Sequence, residues 1–153
     1  MQEQGPTLLV IEDAQDQALL VGIAARHAHP GLVVHNAYNG VDGISFLRDS
    51  APFSDRPTQP TPDLVILDLF MPELDGFDVL AWIQERQSPP PFPLVVLTAS
   101  PKPEDEARAL ALGAVAVHQK PTDLAGLGET VESIVQRWIG RGSIIGAHLW
   151  SMG

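Results

Sequence analysis

Short apolar runs, each leading into a polar side chain, recur along this chain with helix-period segments between them. Leu8-Leu9-Val10-Ile11 runs into Glu12-Asp13, and Asp63-Leu64-Val65-Ile66-Leu67 into Asp68. Leu94-Val95-Val96-Leu97 meets Thr98, and Ala114-Val115-Ala116-Val117 leads to Lys120-Pro121. Strands alternating with helices imply a parallel sheet with right-handed crossovers. Open sheets of that kind place their chemistry just beyond the carboxyl ends of the strands.

The periodicity predicts five βα units. Strands fall near 7–12, 32–34, up to Asp68, 94–98 and 114–118. The first helix runs from Ala14 to His27, and a short one follows the Asn39-Gly40 turn with Ile44, Phe46 and Leu47 inward. Asp75-Gly76 opens a third, with Phe77, Leu80, Ala81 and Ile83 on one face. A fourth lies near 104–112, its early acids matched to the helix dipole and Gly113 placed as its cap. The last starts at Thr122 or Asp123 and carries Leu124, Leu127, Val131, Ile134, Val135 and Trp138 on one stripe.

Two stretches break the rhythm: 50–62, with four prolines, and Ser88-Pro89-Pro90-Pro91-Phe92-Pro93. Prolines there supply no ladder donors, so both read as loops, solvated or, for the first, touching a partner. A glycine-rich tail, 140–153, carries Ile144, Ile145, Leu149 and Trp150 after a helix whose apolar stripe is already used. It reads as a dimer arm or, failing that, as a cloning remnant.

With 153 residues the chain is expected to form one domain. It has no cysteine, which excludes disulfides and thiolate metal sites. A formal net charge of −10 argues against direct binding to nucleic acid. No apolar run approaches the roughly 18 residues of a membrane span, and Met1–Pro6 lacks the pattern of a secretory leader, so a cytoplasmic location is expected. The five histidines, His27, His29, His35, His118 and His148, show no ligand spacing.

Glu12-Asp13, Asp68, Thr98 and Lys120 stand at the ends of four separate strands of one sheet, so the fold must bring them together. Two like charges 4 Å apart cost on the order of 4 kcal/mol at an effective dielectric near 20. A divalent cation relieves that repulsion, and an all-oxygen donor set suits Mg²⁺. A carboxylate held this way is a candidate nucleophile for phosphoryl transfer. The Lys120 ammonium and the Thr98 hydroxyl then neutralise and hydrogen-bond the equatorial oxygens of the transferred group. Taken singly, Glu12-Asp13 is a helix start, Thr98 a strand residue, Lys120 a solvated strand end, and Asp75-Gly76 and Met71-Pro72 are turns. Their joint occurrence in this order is what carries the reading.

As a set, these residues resemble the receiver domain of two-component response regulators over residues 7–139. Glu12 and Asp13 match the acidic pair and Asp68 the phosphoacceptor. Met71-Pro72 and Asp75-Gly76 match the loop that follows, Thr98-Ala99 the hydroxyl and small-residue pair, and Lys120-Pro121 the lysine and its proline. The resemblance implies a flavodoxin-like, doubly wound five-stranded α/β sheet of order 2-1-3-4-5. It implies Mg²⁺ ligands at Asp13, Asp68 and the backbone carbonyl of Phe70, with Glu12 acting through water. Together with the turn needed at the strand end, it also implies a cis Lys120–Pro121 peptide. The implied function is phosphoryl transfer from a sensor histidine kinase to Asp68. On this reading the protein is no enzyme acting on separate substrates, but a phosphoacceptor that catalyses its own phosphorylation and dephosphorylation. Val117 stands where receivers carry Tyr or Phe as a rotamer switch, which puts the usual readout in doubt. The long loop before the third strand, and no output domain after residue 140, look like receivers paired with bacterial phytochrome photoreceptor kinases. Signalling would then run through protein contacts, in a homodimer, or the chain would serve as an intermediate or sink in a phosphorelay. The alternatives are a degenerate receiver serving as a dimeric adaptor, and an aspartyl-nucleophile phosphohydrolase. The latter would need a second acid where Phe70 stands.

Overall fold

A computed structural model describes residues 5–140. Five strands alternate with five helices: β1 (Thr7–Ile11), α1 (Gln15–Ala28), β2 (Val33–Ala37), α2 (Gly40–Arg48), β3 (Leu64–Leu67), α3 (Gly76–Arg86), β4 (Leu94–Thr98), α4 (Pro103–Ala111), β5 (Ala116–Gln119) and α5 (Leu124–Trp138). All pairings are parallel, in the order β2-β1-β3-β4-β5, as the resemblance implied. The tail from residue 141 onward, including Ile144, Ile145, Leu149 and Trp150, lies outside the described residues.

The central strands β1, β3 and β4 are buried along their whole length, because helices cover both faces. Period-two alternation divides their side chains between two cores. Leu9, Ile11, Val65, Leu67 and Val96 pack with Leu47, Leu80 and Ile83, beneath α2 and α3. Leu8, Val10, Leu64, Ile66 and Val95 pack with Val21, Ala25, Val131 and Ile134, beneath α1 and α5. Each strand residue therefore has a fixed face, which holds the sheet in one register.

Several helix boundaries follow directly from local chemistry. Asn39 caps α2 by accepting from the Asp42 amide, and Asp75 caps α3 in a reciprocal box with Asp78. Pro103 sits in the first turn of α4 with Glu104, Asp105 and Glu106. Gly113, at φ +112°, follows its last turn, as expected for a C-terminal glycine.

Other boundaries moved. β2 runs through His35 and Asn36 to Ala37, beyond the expected 32–34, because β1 pairs with it residue by residue from Thr7↔Val33 to Ile11↔Ala37. Hydropathy stops where the apolar run stops; the ladder does not. β5 begins later than expected, at Ala116, since the Ala114 amide still bonds to the Ala109 carbonyl in the exit from α4. Leu124, expected on the buried stripe of α5, is 69% exposed at the helix's first position, before the helix settles on the core.

The proline-rich loop is anchored rather than simply solvated. Phe53 meets Trp82 of α3 edge-on at 5.1 Å between ring centroids, and Phe92 of the second proline-rich loop at 6.3 Å. The Asp49 carbonyl accepts from the Thr58 and Gln59 amides, which closes the excursion at its base. Both loops enter the amino ends of their strands, at the edge of the sheet opposite the acidic cluster.

Candidate functional site

Parallel pairing gathers the ends of β1, β3, β4 and β5 into one constellation. The Asp68 amide donates to the Ile11 carbonyl (3.0 Å) and the Lys120 amide to the Thr98 carbonyl (2.8 Å). These bonds seat Glu12 beside Asp68 and Lys120 beside Thr98 along the carboxyl edge of the sheet. The residues expected from sequence are all brought there. Carboxylate oxygens of Glu12, Asp13 and Asp68 lie within 4.8 Å of one another.

Asp68 is buried and its carboxylate is held on both oxygens. Oδ1 accepts from Thr98 Oγ1 (2.6 Å) and from the Phe70 amide (3.2 Å). Oδ2 accepts from Lys120 Nζ at 3.3 Å. The backbone behind it is fixed by Gly76, where a Cβ would stand 2.4 Å from the Asp68 carbonyl oxygen and 2.7 Å from Leu69 Cα. Only a glycine lets the start of α3 approach so closely. Asp75-Gly76, readable from sequence as a turn pair, is thus a cap followed by a close contact.

Lys120 reaches back across the strand ends. Its ammonium donates to Glu12 Oε1, to Gln17 Oε1 (2.6 Å) and to Asp68 Oδ2, with only 11% of the side chain exposed. The second oxygen of Glu12 accepts from the Ala14 amide at 3.2 Å. Burial pushes the Glu12 carboxyl up to about 7; the hydrogen bond from Lys120 opposes that rise without cancelling it, and the neighbouring Asp68 charge adds to it. One ammonium does not balance three crowded carboxylates.

The Lys120–Pro121 peptide is trans, contrary to expectation; the cis peptide among the described residues is Ser88–Pro89. The lysine's own four-carbon stem spans the distance to the cluster from a strand end still bonded to β4. Val117 packs in the α2–α3 core, while His118, on the other face, lines a surface groove with Ser133, Arg137 and Trp138 of α5. Phe70 stands at the mouth of the site with 48% of its surface exposed. Gln17 escaped the sequence reading. Its signal is faint: an acceptor in the first turn of the helix that follows the acidic pair.

Residues 8–132 match the family described as the response regulator receiver domain. Among curated proteins, the protein-glutamate methylesterase/protein-glutamine glutaminase 2 of Anaeromyxobacter dehalogenans is 37% identical over 80% of this chain and 32% of its own length. Response regulator ArlR of Staphylococcus aureus is 28% identical over 85% of this chain and 52% of its own. The chain thus spans about a third to a half of these relatives. Among solved structures, the phosphorylated cyanobacterial phytochrome response regulator RcpA superimposes with a TM-score of 0.78 at 24% identity, covering 91% of this chain and 97% of its own. The Mn²⁺-bound form of response regulator Rcp1 gives 0.75 at 26%, covering 87% and 94%. Response regulator RPA3017, from red light signaling of R. palustris, gives 0.74 at 26%, covering 90% and 96%. With the fold, the acidic cluster and the family match in agreement, this chain belongs to the response regulator receiver domain family.

Proposed function

We propose that the chain accepts a phosphoryl group on Asp68 from a sensor histidine kinase, with Mg²⁺ bound beside it, and signals through protein contacts. The observation that carries this reading is the environment of Asp68. It is a buried carboxylate whose oxygens are held by a hydroxyl, an amide N–H and an ammonium, at the exposed edge of the sheet.

The donor chemistry fits Mg²⁺. Glu12, Asp13 and Asp68 form an all-oxygen set of three carboxylates, with Lys120 the ammonium bonded to two of them. Asp13, Asp68 and the Phe70 carbonyl would hold the ion, with Glu12 behind them. When bound, Mg²⁺ supplies charge neutralisation for the transferred group. The chain's own residues do the rest. An Asp68 carboxylate oxygen attacks phosphorus, the P–N bond to the donor imidazole breaks as the P–O bond forms, and the imidazole leaves with the electron pair. Lys120 offers positive charge and Thr98 a hydroxyl donor to the incoming oxygens.

The likeness to RPA3017, a response regulator in red light signaling, supports a red-light photoreceptor kinase as the donor, and the resemblance read from sequence makes it one of the phytochrome type. Such a partner places the protein in the cytoplasm; among the described residues no helix is long and apolar enough to cross a membrane. A formal charge of −10 favours protein over nucleic-acid contacts. Assembly as a homodimer through the last helix and tail offers an output that does not depend on an aromatic at position 117. That same Val117 favours the second reading, a degenerate receiver used as an adaptor.

Intact-mass measurement after incubation with acetyl phosphate decides between them. The expected result is one added phosphoryl group with Mg²⁺, absent with EDTA and absent in Asp68→Asn. Label retained on Asp68→Asn overturns the assignment, and no label under any condition favours the adaptor.

A further inference from the structure

The Lys120 ammonium has three N–H donors, and the structure gives each an acceptor: Glu12, Asp68 and, on α1, Gln17. Nothing in the phosphoacceptor reading accounts for the third. We infer that Gln17 is a positioning residue, which holds the Lys120 ammonium at a resting point shared between Glu12 and Asp68 and keeps it from closing fully onto the nucleophile. This inference rests on the role proposed for Asp68 and Lys120.

The geometry supports it in three ways. The ammonium sits closer to Gln17, at 2.6 Å, and closer still to Glu12, than to Asp68, at 3.3 Å, so the lysine rests away from the carboxylate that is to react. The site is nearly closed, with side-chain exposures of 11% for Lys120, 5% for Glu12 and 9% for Asp68. An unmatched N–H on a buried ammonium is costly, so loss of one acceptor drives the ammonium onto those that remain. Finally, the acceptor is neutral. A carbonyl oxygen orients the lysine without adding a further negative charge to three crowded carboxylates, and it releases the lysine more readily than an ion pair when a phosphoryl group arrives.

Position adds a consequence. Gln17 lies in the wall of a cleft of about 340 Å³ between α1 and the β5–α5 loop, together with Ala99, Ser100, Lys120 and Thr122. Anything entering that cleft meets the residue that holds the lysine. Displacement of the Gln17 side chain would return Lys120 to Asp68 and the incoming group at the moment of transfer.

The test compares Gln17→Leu, which removes the acceptor at similar volume, with Gln17→Glu, which keeps an acceptor oxygen at the same reach. Both are made in the full chain, with folding checked by circular dichroism. The first readout is the ¹⁵N-detected signal of the Lys120 side-chain ammonium, assigned with Lys120→Arg. The second is the rate of phosphorylation by phosphoramidate with Mg²⁺. The ammonium signal should shift in Gln17→Leu, as the lysine moves onto Asp68, and return toward its parent position in Gln17→Glu. Phosphorylation should slow about ten-fold in Gln17→Leu, where the lysine covers the Asp68 carboxylate beforehand, and stay slow in Gln17→Glu, whose ion pair releases the lysine less readily. An unchanged signal and rate in Gln17→Leu overturn the inference, as does a folded Gln17→Glu that leaves the ammonium signal shifted as in Gln17→Leu. If the unsubstituted protein takes no phosphoryl group, the Asp68 reading has failed, and the ammonium signal alone then decides whether Gln17 holds the lysine.

Discussion

Thr98 Oγ1 and Asp68 Oδ1 are joined by a 2.6 Å hydrogen bond between two buried side chains, one at the end of β4 and the other just past the end of the neighbouring β3. The hydroxyl therefore orients the carboxylate before any phosphoryl group arrives. Removing it leaves Oδ1 with the Phe70 amide alone. Thr98→Val should cost about 2 kcal/mol in urea unfolding, the usual loss for a hydrogen bond to a charged group. It should also slow phosphorylation, whereas Thr98→Ser should keep both near the parent values. A Thr98→Val protein as fast as the parent would show that the hydroxyl has no part in holding Asp68.

Glu12 gives stability a pH dependence of defined sign. Its carboxyl is pushed from 4.5 to about 7 in the folded protein, mainly by burial. A folded pKa above the unfolded one favours the protonated form in the fold, so this contribution is complete below about pH 4.5 and is lost as pH rises toward 7. The loss at neutral pH is on the order of 3 kcal/mol. Unfolding measured in EDTA should show the parent losing stability relative to Glu12→Gln between pH 5 and 7.5. A flat difference across that range would contradict the shift.

Phe70 stands at the mouth of the site, two residues beyond Asp68, with its side chain half exposed. An aromatic ring offers an attacking water no hydrogen bond and blocks part of its approach. The phosphorylated form should therefore be long-lived, and Phe70→Asn should shed its phosphoryl group faster, on the order of ten-fold. Decay followed by mass spectrometry at equal, or slower, rate in Phe70→Asn would remove Phe70 as the gate.

The final helix has spent its apolar stripe: Leu127, Val131, Ile134 and Val135 are buried against the sheet and α1. The proposed homodimer gives Ile144, Ile145, Leu149 and Trp150, which lie outside the described residues, a use in assembly, where a two-fold interface counts each residue twice. Removal of residues 141–153 should turn a dimer into a monomer by light scattering. A truncated chain that dimerises as tightly as the full one would place the interface elsewhere.

The sequence by itself determined the βα alternation, the strand cores and the identity of the residues gathered at the carboxyl edge. Each of these depends on local pattern: apolar runs of strand length, caps such as Asp75, and polar residues at strand ends. Tertiary structure decided what depends on neighbours distant in the chain. Pairing with β1 carried β2 past its apolar residues to Ala37. Phe53 found Trp82 and Phe92, which turned a proline-rich connection into an anchored one. Gln17 became a partner of Lys120, although 103 positions separate them. Hydrogen-bond acceptors and aromatic partners are selected by proximity in space, and a periodicity of 2 or 3.6 residues records only which face a side chain takes, not what meets it there.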